Sequence, residues 1–259
     1  MKGEYDGVVL GNSHAYRNVI VENLQFDCIN LANVSQSIDI DYKWFEKALE
    51  HNNLKFVIVN VSLPTLLLRL NDSKEQWRTS YYNIYTDLRL NFKVKDNLEL
   101  LNKSPKDNFK KLQDYFLQPN NFKVTCLSKG SYPLDITLEN FEENAIKTSN
   151  RHLSFGFKHF QENRRALQSI INKALEGNIK VLILIPPMHK DYRNLIDKKY
   201  SEKLFNTIEL IVKERNIQYL NYYEDVEFEN YMFKDSDHLN IYGAELLTRK
   251  INIKLIELL

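Results

Sequence analysis

Val8-Val9-Leu10-Gly11-Asn12-Ser13-His14 runs straight into Ala15-Tyr16-Arg17-Asn18-Val19-Ile20. An apolar run closes at a glycine, a serine stands two residues on, and the residues after it can start a helix. A strand that turns sharply into a helix presents the serine hydroxyl at the strand's carboxyl end, where ligands and chemistry gather in open α/β sheets. Glycine suits such a turn because it tolerates backbone angles that side chains exclude. A serine in this place is also a common helix N-cap. Taken alone, the stretch leaves a reactive hydroxyl and a capping hydroxyl both open.

The pattern around it alternates strand and helix. Residues 7–10 form the first strand and 15–23 a helix. Residues 26–31 form a second strand, mostly apolar, as in a sheet covered on both faces. After a polar loop, residues 40–51 place Trp44, Phe45, Ala48 and Leu49 on one helical face. Residues 54–61 form a third strand centred on Phe56-Val57-Ile58-Val59. This βαβαβ run predicts a parallel sheet with right-handed crossovers. The rhythm returns late, with a helix over 157–175, ended by Gly177-Asn178. A very apolar strand over 179–185 stops at Pro186-Pro187. A helix over 201–215, a short strand over 217–220 and a closing helix over 241–259 complete the chain. The expected architecture is an α/β three-layer α/β/α sandwich around a parallel, flavodoxin-like sheet.

Between these halves the alternation lapses. Residues 64–150 are rich in Leu, Tyr, Asn and Lys and read as several helices with irregular connections. A stretch this long is not expected to be structureless inside a compact domain. It reads as a helical insertion or cap within one domain spanning residues 1–259. Shaping access to the site and merely extending the scaffold are both consistent with it.

Composition narrows the function. With 35 Lys and Arg against 34 Asp and Glu, the net charge of +1 gives no electrostatic case for nucleic acid. Cys28 and Cys126 stand far apart, without metal-like spacing, and read as ordinary thiols of a reducing compartment. No apolar run is long enough to span a bilayer. The first strand starts too close to Met1 to leave room for a signal peptide. A cytoplasmic protein, or the soluble part of a larger or anchored one, is expected; the oligomeric state is left open. The histidines and carboxylates form no convincing metal set, and no Gly-x-Gly-x-x-Gly or Walker-type loop is present for a nucleotide, so no cofactor is expected.

A second stretch bears on the first. Asp235-Ser236-Asp237-His238 precedes Leu239-Asn240-Ile241-Tyr242-Gly243 near the other end of the chain. An aspartate three residues before a histidine can orient the imidazole, which can then deprotonate a serine across the sheet. Capping of the last helix by Ser236 or Asp237 is the alternative. Gly11-Asn12-Ser13-His14 paired with Asp235-x-x-His238 resembles the SGNH/GDSL hydrolase superfamily, and closest within it the bacterial SGNH-like proteins associated with polysaccharide O-acylation.

That resemblance implies a serine-dependent acyl-ester enzyme. Ser13 is the expected nucleophile, His238 the base and Asp235 the orienting acid, with Asp237 competing for that role. The Ser13 N–H is expected to donate to the oxyanion. In place of the family's Asn-x-Gly-x-x-Gly loop the chain reads Asn30-x-Ala32-x-x-Ser35, so Ser35 is the second candidate donor. The Gly-x-Asn-Asp motif is absent; Val59-Asn60-Val61-Ser62 stands there, and Asn60 or Ser62 is the third candidate. His14 and His189 are candidate substrate contacts. The expected substrate is a small-molecule or glycan acyl ester. Hydrolysis, transfer of an acyl group to a glycan hydroxyl and non-catalytic binding all remain open at this point.

Overall fold

The computed structural model describes residues 4–86, 88–98, 104–117, 126–136 and 140–259. Their contacts divide the chain into two compact units, Met1–Arg69 with Leu127–Leu259, and Leu70–Cys126.

The first unit is built on a five-stranded sheet of β1 (Gly7–Leu10), β2 (Cys28–Asn30), β3 (Phe56–Asn60), β4 (Lys180–Ile185) and β5 (Gln218–Asn221). The strand order is β2-β1-β3-β4-β5 and every pairing is parallel. Its helices, in chain order, are α1 (Ser13–Asn18), α2 (Ile38–His51), α3 (Leu63–Leu67), α4 (Phe141–His152), α5 (Phe160–Glu176), α6 (Lys190–Asn194), α7 (Lys198–Arg215) and α8 (Ile241–Leu258).

Successive strand residues point to opposite faces, and here both faces are apolar. Val8, Leu10, Val57, Val59, Val181 and Ile183 pack with Phe45 of α2, Leu167 and Ile171 of α5 and Ile208 of α7. Val9, Ile58, Leu182 and Leu184 pack on the other side with Ala15 of α1 and Leu247 and Ile251 of α8. The result is the three-layer α/β/α arrangement. It explains why the central strands read as unbroken apolar runs.

Boundaries shift by a few residues. The helix expected over 15–23 ends at Asn18 because the Asn30 amide donates to the carbonyls of Ala15 and Val19 and closes it. A separate 3-10 turn, Val21–Asn23, follows. The second strand shortens to three residues. Of the stretch over 64–150, residues 127–136 and α4 belong to the sheet unit, and α4 contributes Ala145 to its core.

The second unit contains helices Thr79–Tyr85, Val94–Asn97 and Pro105–Leu117. Within it, Asn83 ties a loop together by accepting from the Leu90 N–H and donating to the Asn91 carbonyl. Among the described residues, no helix is long and apolar enough to cross a membrane. Cys28 and Cys126 are free, and burial pushes the Cys28 thiol well above its usual range.

Candidate active site

The turn after β1 resolves the two readings of Ser13. Asn12, not Ser13, is the N-cap of α1: its Oδ1 accepts from the His14 N–H at 3.0 Å. Ser13 is the first helical residue, half-buried, and its hydroxyl makes no hydrogen bond among the described residues. Gly11 adopts φ 143°, and a Cβ there would lie 2.8 Å from Asn60 Cβ and 3.1 Å from Ala15 Cβ. Both the angle and the close approach require glycine. The Asn12 amide also reaches across to Ser62 Oγ and Thr65 Oγ1, each at 3.2 Å, and so ties the turn to the start of α3.

The capping alternative for the second motif falls in the same way. The N-cap of α8 is Asn240, which accepts from the Tyr242 and Gly243 N–H groups. Residues 234–238 instead form a closed turn in which the Lys234 N–H donates to the His238 carbonyl at 2.9 Å. Asp235 Oδ1 accepts from the backbone N–H groups of Asp237 and His238. Its carboxylate also holds His238 Nδ1, at 2.9 and 3.0 Å. The Leu239 N–H donates to Asn18 Oδ1, which fastens this turn to α1.

His238 is therefore gripped at Nδ1, while its Nε2 is buried without a hydrogen-bond partner. No hydrogen bond joins Ser13 Oγ to His238 Nε2; the link is through the next residue, the His14 ring lying 5.2 Å from the His238 ring. A second carboxylate also stands at Nδ1, with Asp237 Oδ1 at 3.3 Å. Side chains of adjacent residues point apart in an extended chain. The tight turn brings them within range, although Asp235 remains the closer partner. Burial alone would lower the His238 pKa. The charges of Asp237 and Asp235, with their hydrogen bonds, outweigh it and push the imidazole up to about 9.

Asp237 is the hub of a buried network. Its Oδ2 accepts from His14 Nε2 at 3.1 Å and lies 3.7 Å from both His152 Nε2 and the Arg151 guanidinium. Burial opposes its charge, but His238 and His14 together hold its carboxyl well below the usual range. Burial lowers His14 despite Asp237, and lowers His152 further. A neutral His14 that donates through Nε2 has an unprotonated Nδ1. Ser62 Oγ, 3.0 Å away, must then be the donor to it. The Ser62 hydroxyl proton is thus committed to His14 and is not free for an oxyanion. His14 itself is fully buried between Ser62 and Asp237, away from the substrate-contact role considered for it.

The other candidates are distributed as follows. Asn60 ends β3, is fully buried, and neither Oδ1 nor Nδ2 has a partner. Ser35 occupies the left-handed region at φ 58° in the loop after β2. His189 caps α6, accepting from the Asp191 N–H, while its Nε2 meets Asn230 Oδ1 at 3.1 Å and its ring stacks on Phe141 at 4.1 Å. At 2% exposure it is a packed residue, not a pocket wall.

Sequence reading missed the donor cluster of His14, Asp237 and His238, whose ligand-type atoms lie within 4.8 Å of one another. It also missed Asn144 of α4, which holds Ser236 through both its N–H and its hydroxyl. Only the fold brings these together, across 223 and 92 residues of chain.

The parallel strand order, with a serine turn after β1 and an Asp-x-x-His turn before the last helix, resembles that of SGNH/GDSL-type α/β proteins. The family described as DltD protein matches residues 137–251, which carry α4 through most of α8. Among solved structures, TesA is similar over 98% of this chain and 99% of its own, with a TM-score of 0.51 at 11% identity. A GDSL-like lipase from Bacteroides thetaiotaomicron (98% and 88% covered, TM-score 0.49, 12% identity) and a lipase/acylhydrolase from Enterococcus faecalis (96% and 94%, TM-score 0.47, 12% identity) are more distant in shape. No curated protein matches the chain.

Proposed function

We propose that the chain is a serine-dependent acyl-ester hydrolase with Ser13, His238 and Asp235 as its catalytic residues. The observation that carries this reading is the state of His238. Its Nδ1 is fixed by Asp235 at 2.9 Å, and its Nε2 is left without a partner. Such an imidazole is oriented to accept a proton through Nε2.

In the proposed reaction, Ser13 Oγ attacks the ester carbonyl carbon as its proton passes to His238 Nε2. The carbonyl electrons move onto oxygen. The Ser13 N–H, which has no carbonyl to bond within the first turn of α1, donates to that oxyanion, with the Ser35 N–H as the second donor. Asn60 Nδ2 is the third candidate, since it is buried and unpartnered beside Gly11. Collapse expels the alcohol, which takes the proton from His238. Water then releases the acid by the same steps in reverse. An acceptor hydroxyl in place of water turns the reaction into O-acyl transfer. Esters on a carbohydrate are the proposed substrates, by the resemblance of the two terminal motifs to SGNH-like proteins of polysaccharide acylation.

A fluorophosphonate tests the nucleophile directly. Ser13 Oγ displaces fluoride, and the expected product is one phosphonyl group per chain on the peptide holding Ser13, found by mass spectrometry. An unlabelled Ser13 overturns the assignment.

The charge state of His238 adds a pH prediction. A base held up to about 9 is protonated at neutral pH and inactive as an acceptor. Hydrolysis is expected to rise about tenfold per pH unit and level off near 9. The same sign governs stability: the pairing of His238 with its carboxylates contributes fully below its unfolded value and is lost as pH rises through about 9. A flat pH–rate profile between 6 and 9 contradicts both.

A further inference from the structure

One buried carboxylate takes no part in the reaction just described. Asp41 lies on α2, fully buried, and reaches the turn after β1. Its Oδ1 accepts from the Gly11 N–H at 2.9 Å and from Gln36 Nε2 at 2.6 Å. Gln36 Nε2 also donates to the Leu31 carbonyl at 3.0 Å. The Gly11 carbonyl is held from the other side by the Asn33 N–H at 3.3 Å. A single oxygen atom therefore joins the turn that ends in Ser13 to the loop that contains Ser35. Asp41 Oδ2 is buried without a partner.

Among the described residues no cation acts on this carboxylate. The titratable group acting on it is Asp39, two residues earlier in α2 and itself paired with Arg69 at 2.8 Å. Burial accordingly raises Asp41 to about 7, against the pull of the Gln36 and Gly11 hydrogen bonds. A buried, unpaired charge works against the folded state, so packing alone gives no reason for an acid here.

We propose that Asp41 is a positioning residue of the oxyanion site, whose buried carboxylate fixes the turn after β1 against the loop after β2 and thereby sets the spacing of the Ser13 and Ser35 N–H groups. The proposal rests on the serine reading above. An oxyanion donor acts only when it sits within hydrogen-bond range of where the charge develops. Displacing both donors slows chemistry without weakening the encounter with the reagent.

The test is the kinetics of Ser13 phosphonylation by a fluorophosphonate at pH 8, on variants whose fold is checked by circular dichroism and thermal melting. Asp41→Ala is expected to lower the saturating rate about 10- to 100-fold, below the full loss of a donor, with the half-saturating concentration unchanged within about threefold. Asp41→Asn keeps an oxygen acceptor for both donors. It is expected to restore the rate to within about threefold and, having no charge to bury, to melt at a higher temperature than the wild type at pH 8. Where Asp41→Ala does not fold, Gln36→Met removes one arm of the clamp and is expected to slow labelling about three- to tenfold. Labelling at the wild-type rate in Asp41→Ala or, failing that, in Gln36→Met overturns the proposal, as does a loss in Asp41→Ala that Asp41→Asn does not restore. A wild type that does not label at Ser13 overturns the serine reading, and this proposal with it.

Discussion

Ser13→Ala is expected to abolish turnover of p-nitrophenyl acetate, by on the order of a thousandfold or more, while the chain stays folded. The hydroxyl is half-buried, caps nothing and bonds no other described group, so its removal leaves no buried partner unsatisfied. The melting temperature should move by no more than a degree or two. This separation of activity from stability is what distinguishes a nucleophile from a cap. An N-cap serine exchanged for alanine costs roughly 1 kcal/mol of stability, and that cost belongs here to Asn12. Release of p-nitrophenol, followed at several enzyme concentrations, gives the rate; wild-type turnover in Ser13→Ala refutes the mechanism.

The second large effect separates two aspartates two positions apart. Asp235→Asn replaces the acceptor at His238 Nδ1 with a group that can donate. The imidazole then favours the tautomer with its proton on Nε2, which cannot take one from Ser13. In a well-isolated triad this exchange lowers kcat by about ten-thousand-fold. Here Asp237 Oδ1 stands at 3.3 Å and supplies a second acceptor, so a loss of about a hundred- to a thousandfold is expected. Asp237→Asn leaves Asp235 in place. Its expected mark is a pH–rate inflection displaced downward from about 9, because one of the two charges that raise His238 is gone. Turnover measured from pH 6 to 10 in both variants decides the matter. Equal losses with unshifted inflections would mean that neither carboxylate is specialised.

Much of the fold was legible because its central strands are covered on both sides. β1, β3 and β4 carry no alternating polar residues, and a short apolar run between turn signals can only be a buried strand or a buried helix segment. Gly11 marked one boundary through the angle it permits, and Gly177-Asn178 marked another, where Asn178 takes the left-handed angle at φ 56°. Less visible was α4. Its sequence, Phe-Glu-Glu-Asn-Ala-Ile-Lys-Thr-Ser-Asn-Arg-His, is mostly polar, and its apolar contribution to the core is small. Its role comes from contacts with the 235–238 turn, which no local pattern encodes. The site divides along the same line. Ser13, Asp235 and His238, the residues proposed for catalysis, were singled out by the two terminal motifs. The pairing of His14 with Asp237 was not, because a histidine beside a serine carries no local sign of a carboxylate 223 residues away. Nor could sequence foresee that the Ser62 hydroxyl would be engaged by His14, or that Asn60 would be enclosed with its amide unmatched.

The order of the parts along the chain has a consequence for synthesis. The turn that holds Ser13 is made long before the turn that holds Asp235 and His238, and Asn18 and Leu239 join the two across 221 residues. A polypeptide still growing on the ribosome holds Ser13 long before it holds His238, the base proposed to activate it. Loop closure over such a span is slow compared with local helix formation. On the proposed mechanism the nascent chain therefore carries no activated serine until the 235–238 turn has been made, and reactivity arrives in one late event, when that turn docks beside α1.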